Sequence, residues 1–124
     1  DLIDLGNTVY DKDDDYPDFA RKVAEKVCSE EGSRGIVICG SGIGVDIVAN
    51  KIPGARSSLG FNPKQVEHGV VSDNVNILAV ASDYIDIEKA EELVNSLINN
   101  NFTNEERDLR RQQKIQEIEK KNEN

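Results

Sequence analysis

Apolar runs alternate with amphipathic stretches along this chain. The alternation predicts an α/β domain with a mainly parallel sheet. Residues 2–5 (LIDL) are a short apolar run that stops at Gly6-Asn7 and predict a first strand. Residues 11–15 (DKDDD) are a charged loop. A helix is expected from Asp15 or Tyr16, with Pro17 in its first turn, ending near Gly32. Phe19, Val23 and Val27 recur every four residues and mark its buried face. Residues 35–39 (GIVIC) are continuously apolar, as a strand covered on both faces reads.

A glycine-rich segment, residues 40–44 (GSGIG), follows, then a second helix over about residues 45–51 that breaks at Pro53-Gly54. Residues 55–59 predict a third, short strand. Asn62-Pro63 opens a helix over residues 63–71, because Asn caps and Pro suits the first helical position. Residues 76–81 (NILAVA) predict a fourth, buried strand. Asp86 caps a helix with Ala90, Leu93, Val94 and Leu97 on one face, ended by residues 99–101. Residues 103–124 read as a charged helix with Leu109, Ile115 and Ile118, fraying at KKNEN. Four strands in βαβαβα order make a doubly wound sheet, where ligands bind beyond the carboxyl ends of the strands. The segments to inspect are therefore 6–15, 40–44, 60–63 and 82–86.

The glycine segment carries the strongest chemical signal. Three glycines between a buried strand and a helix let backbone N–H groups turn toward a phosphate or a developing oxyanion. A cysteine at the lip of such a loop has its thiolate favoured by the same field. The alternative is a tight turn with Cys39 as a small core residue. The dinucleotide fingerprint fails at Val45, and the Gly-Lys-Ser/Thr of a P-loop is absent.

Composition narrows the classes. The 124 residues suit one domain, and 15 basic against 24 acidic residues give a net charge of −9. That charge repels phosphate backbones and anionic lipid, so neither nucleic acid nor membrane is an expected partner. No apolar run approaches the roughly 20 residues of a spanning helix, and no signal-peptide pattern is visible. Two cysteines are too few for a disulfide framework, and the single His68 argues against a His-rich zinc site. The chain contains no methionine, which predicts that residue 1 is not the start of the gene product.

Three strings are recognisable: Asp15-Tyr16-Pro17-Asp18; residues 34–44 (RGIVICGSGIG); and residues 49–56 (ANKIPGAR). With Asn76-Ile77-Leu78 and the later Arg107, Arg110 and Arg111, the sequence resembles the type B ribose-5-phosphate isomerases and the related galactose-6-phosphate isomerase subunits. The likeness covers nearly the whole chain. It implies a Rossmann-like three-layer α/β/α sandwich that forms a homodimer or tetramer in the cytoplasm. It implies interconversion of an aldose phosphate and a ketose phosphate through an enediolate, with no metal and no cofactor, the partner being a small phosphorylated sugar. Residues 1–124 would form one sugar-phosphate isomerase domain, with residues 104–124 as its C-terminal charged helix.

The resemblance also implies roles. Cys39 is the base that moves a proton between C1 and C2. A second branch of the family uses a glutamate six residues later, and Val45 closes that route. The N–H groups of Gly40, Ser41, Gly42 and Gly44 stabilise the enediolate. Ser41 keeps the hydroxyl of the family's usual threonine and its proton relay. Arg107 and Arg111 lie four apart on one helical face and would hold phosphate, although Glu105, Glu106 and Asp108 could instead pair with them on a solvated helix. Tyr16 is either a pocket wall or a helix-start staple. Asn50 is expected to brace the glycine loop, and Cys28 to pack in the core or at its boundary.

Two departures stand out. The family begins with a strand carrying an Asp-His pair and a helix, and neither is found before residue 2, so the chain reads as N-terminally incomplete. The family also has a histidine for opening the sugar ring. Ser72 stands there, with Asp73 where asparagine is usual. His68, one helical turn earlier, is either a substitute or a surface histidine. The leading expectation is a ribose 5-phosphate/ribulose 5-phosphate isomerase. The alternatives are a non-catalytic sugar-phosphate-binding or partner subunit and a galactose-6-phosphate isomerase subunit.

Overall fold

The structure, a computed structural model, describes residues 1–7 and 9–122. Eight elements follow one another: α1 (Tyr16–Ser29), β1 (Gly35–Cys39), α2 (Ile43–Ala49), β2 (Ser57–Leu59), α3 (Pro63–Asp73), β3 (Ile77–Ala81), α4 (Ile87–Ile98) and α5 (Glu106–Lys121). The three strands are all parallel, in the order β1-β3-β2.

The central strand β3 explains the layers. All five of its residues are buried, and successive side chains point to opposite faces. Ile77 and Ala79 join Val37 of β1, Ala20, Ala24 and Val27 of α1, and Val45 and Ala49 of α2. Leu78 and Val80 join Val66 and Val70 of α3 and Leu93 and Leu97 of α4. Each fully buried side chain of the size of Leu78 or Leu93 contributes about 1.5–3 kcal/mol relative to exposure. The helices thus form two layers around one sheet, the α/β/α arrangement expected.

Local signals set the helix ends. The Asn62 side chain accepts from Lys64 N–H at 2.8 Å, with Pro63 at the first helical position. Asp86 accepts from Lys89 N–H at 2.8 Å. Asn74 ends α3 in the left-handed region at φ 58°. Arg34 anchors the end of α4, donating to the carbonyls of Leu97 (2.7 Å) and Asn100 (3.1 Å).

Some boundaries differ from expectation. Residues 2–5 are not a strand. Leu2 is 92% and Ile3 59% exposed, and the sheet among the described residues has three strands. An apolar run alone does not make a strand; it needs a neighbour for its N–H and C=O groups, and among the described residues none pairs with residues 2–5. The first helix stops at Ser29, before Gly32. The second starts inside the glycine segment, at Ile43, because Gly42 turns the chain directly into it, and it ends before Asn50. Strand β2 is only Ser57–Leu59: the Ala55 N–H turns back to the Ile52 carbonyl and the Arg56 N–H donates to the Asn76 side chain. The last helix is α5, Glu106–Lys121; the final two residues of the expected fraying end lie outside the described residues.

Candidate active site at the glycine loop

Cys39 ends β1, and the chain then turns through 40–42 into α2. Each glycine of the turn has a steric reason. Gly42 holds φ 74°, and a Cβ there would lie 2.6 Å from Leu59 Cδ1. A Cβ at Gly40 would meet the Asp83 carboxylate at 2.5 Å, and one at Gly44 the Tyr16 ring at 2.5 Å. The loop is therefore packed between β2, the segment after β3 and the first turn of α1.

The bonds across the loop are mostly backbone. Ser82 N–H donates to the Cys39 carbonyl and Asp83 N–H to the Gly40 carbonyl, both at 3.0 Å. Ser82 Oγ also donates to the Cys39 carbonyl at 3.3 Å. Ser41 Oγ accepts from Ile43 N–H at 3.2 Å, which leaves its hydroxyl proton free to donate elsewhere.

The Cys39 thiol is partly exposed and unpaired. Burial pushes its pKa up, but the nearby backbone N–H groups of Val45, Gly42, Gly44 and Ser41 favour the thiolate and outweigh it, leaving the pKa below the ordinary thiol value. Tyr16, half exposed, stands against Gly44 beside the loop. Cys39, Gly40, Ser41, Gly42, Gly44 and Tyr16 are thus gathered. The arrangement offers an ionisable, accessible sulfur near backbone N–H donors, suited to moving a proton beside a developing oxyanion.

Four further expected site residues are elsewhere. Ser72 and Asp73 close α3, which leads into the N-terminal end of β3, whereas Cys39 stands at the C-terminal end of the parallel β1. A five-residue strand, roughly 13 Å of rise, separates the two ends. Arg107 and Arg111 sit on α5, whose approach is tied to α3 by Thr103 N–H donating to the Val71 carbonyl at 3.3 Å. Both arginines are exposed and flank the buried Asp108, at 3.7 and 3.9 Å. His68 is exposed on α3.

Two features have no signal in the sequence. The segment 82–86 follows a strand, but no spacing places Asp83 over Gly40. Asp108 looks like one charge among many on a polar helix, and only burial singles it out. Cys28 is exposed at the end of α1, not packed in the core or at its boundary; its thiol is raised by burial and by Glu119, against the opposing pull of Arg56.

Comparison with known proteins gives a consistent picture. A model of the Ribose/Galactose Isomerase family matches residues 1–118. The ribose-5-phosphate isomerase B of Mycobacterium tuberculosis is 32% identical over 121 residues, 98% of this chain and 75% of that protein. Among solved structures, the ribose-5-phosphate isomerase B of Clostridium thermocellum superposes with a TM-score of 0.89 at 40% identity, covering 96% of this chain and 79% of that one. The enzyme of the same name from Mycoplasma genitalium, solved with bound ribulose-5-phosphate, gives 0.88 at 37%, covering 95% and 78%.

Proposed function

We propose, from the premise that the chain belongs to the ribose/galactose isomerase family, that it is a sugar-phosphate aldose–ketose isomerase acting on ribose 5-phosphate and ribulose 5-phosphate with Cys39 as base. The observation that most supports this reading is a partly exposed, free Cys39 sulfur at the start of the glycine loop, next to the N-terminal end of α2. A lowered thiol is a poised base near neutral pH.

In this mechanism the Cys39 thiolate takes the proton from C2 of the open-chain aldose. Charge leaves the sulfur and develops on the enediolate oxygens. The loop N–H groups that held the thiolate are then available to those oxygens. The Ser41 hydroxyl carries a proton from O2 to O1, and the Cys39 thiol returns its proton to C1, giving the ketose. No atom is gained or lost. Tyr16 stands beside the loop and keeps water from one side of it. Two unpaired cysteines fit a reducing cytoplasm.

Arg107 and Arg111 would bind the phosphate, with Ser72 and Asp73 nearby. Because these residues lie at the other end of the sheet from Cys39, they would serve the loop of a second copy in a homodimer or tetramer. Two variants test this together, assayed at substrate well below the raised KM of the arginine variant. Cys39→Ala and Arg111→Ala, refolded as a mixture, recover activity if sites are shared, since a mixed dimer holds one intact site. No recovery would show that each chain acts alone. The parent assay is direct: ribulose 5-phosphate should form from ribose 5-phosphate and cease with Cys39→Ala, while a phosphorylated acid analogue still binds.

A second reading is favoured by Ser72, since a serine cannot act as the ring-opening acid near neutral pH. Under it the chain is a non-catalytic sugar-phosphate-binding subunit. A protein that binds the analogue and isomerises neither ribose 5-phosphate nor galactose 6-phosphate would support it. Preference for galactose 6-phosphate would instead assign the hexose branch.

A further inference from the structure

The position of α2 decides where the loop N–H groups point. The helix has seven residues, starts from Gly42 with no side-chain cap on that residue, and seats Val45 and Ala49 in the core. Its polar anchoring lies at the other end. Ser57 opens β2, an edge strand, and its own N–H and C=O face away from β3. The Asn50 side chain takes both groups: its Nδ2 donates to the Ser57 carbonyl at 2.9 Å, and its Oδ1 accepts from Ser57 N–H at 2.8 Å. The amide thus stands where a neighbouring strand would stand. One turn earlier on α2, Asp46 Oδ1 accepts from Ser57 Oγ at 2.5 Å. Two residues further along β2, Leu59 packs against Gly42 itself.

We propose that Asn50, Asp46 and Ser57 are positioning residues that clamp α2 to the edge of β2 and so hold the N–H groups of Gly42, Gly44 and Val45 on the Cys39 sulfur. The clamp does not touch the sulfur; it acts through the helix. This deepens the reading of Cys39 as base and rests on it for its catalytic meaning. The ionisable groups around the loop are Tyr16 from α1, Asp46 from α2 and Asp83 from the segment after β3. Asp46→Asn keeps an acceptor for Ser57 but removes a negative charge, which favours the thiolate. Breaking the clamp disfavours it. The two effects have opposite signs, so the neutral variants Asn50→Ala and Ser57→Ala are the decisive ones.

The test measures the rate of Cys39 alkylation by iodoacetamide between about pH 6 and 10, in a Cys28→Ser background, beside steady-state kinetics. Asn50→Ala should move the midpoint upward by about half to one pH unit and lower kcat roughly tenfold with KM little changed. Ser57→Ala should do the same to a smaller degree, and Ser57→Thr should restore both. An unchanged midpoint in folded Asn50→Ala overturns the proposal. If Asn50→Ala does not fold, Ser57→Ala carries the test, because it leaves the backbone pair in place; an unchanged midpoint there overturns it equally. A moved midpoint in a chain that never isomerises would uphold the clamp and overturn the proposed function.

Discussion

Cys39 and Cys28 are the same residue type at opposite ends of one sheet. Cys39 is the last residue of β1, where the chain turns into a helix and offers its free N–H groups. Cys28 lies in the last turn of α1, where the unsatisfied backbone groups are carbonyls. Donors lower one thiol; burial and a nearby carboxylate raise the other. The two thiols therefore differ in whether backbone donors face the sulfur: at Cys39 they outweigh burial, and at Cys28 burial has no such donors against it.

The contrast can be broken at several strengths. Cys39→Ala should reduce turnover by roughly 10³-fold or more, within the range of losing a positioned base, while Cys28→Ala leaves it near the parent value. Comparable losses in both variants, with both folded, would remove the distinction. Gly42→Ala should cost about 1–3 kcal/mol in stability, from its positive φ and the collision with Leu59, measurable by urea unfolding. A variant as stable as the parent would mean that the loop relaxes.

Arg107→Ala and Arg111→Ala should each raise KM about 10–100-fold, the equivalent of one charge-assisted contact, with a smaller change in kcat. An unchanged KM would leave these arginines as partners of Asp108 alone.

The smallest effect concerns stability against pH. Folding favours ionised Cys39, so its contribution is fully present above the ordinary thiol pKa of about 8.5 and is lost as pH falls through the lowered folded value. The Tm difference between the parent and Cys39→Ser should therefore grow from acid to alkaline pH. A difference flat with pH would contradict the lowered thiol.

Much of the fold was legible because its signals are local. The apolar runs of β1 and β3, the Asn62-Pro63 start and the Asp86 cap each act within a few residues, and the structure follows them. Residues 2–5 show the limit: their pattern is that of a strand, but pairing depends on what stands alongside. The site divided in the same way. The glycine spacing announced the loop around Cys39, because neighbouring residues build it. Arg107 and Arg111 match the family's arginines and Ser72 and Asp73 stand at family site positions with other side chains, yet the parallel topology carries all four to the other end of the strands. Asp83 over Gly40 and Asn50 against Ser57 are contacts between segments that no spacing encodes.

The central claim is that the Cys39 sulfur moves a carbon-bound proton. Incubation with ribose 5-phosphate in D2O, followed by NMR, reads that step directly. The parent should incorporate deuterium at C1 of the ribulose 5-phosphate formed, and Cys39→Ala should incorporate none while still binding a phosphorylated acid analogue. Incorporation by Cys39→Ala at the parent's rate would place the base elsewhere and contradict the mechanism.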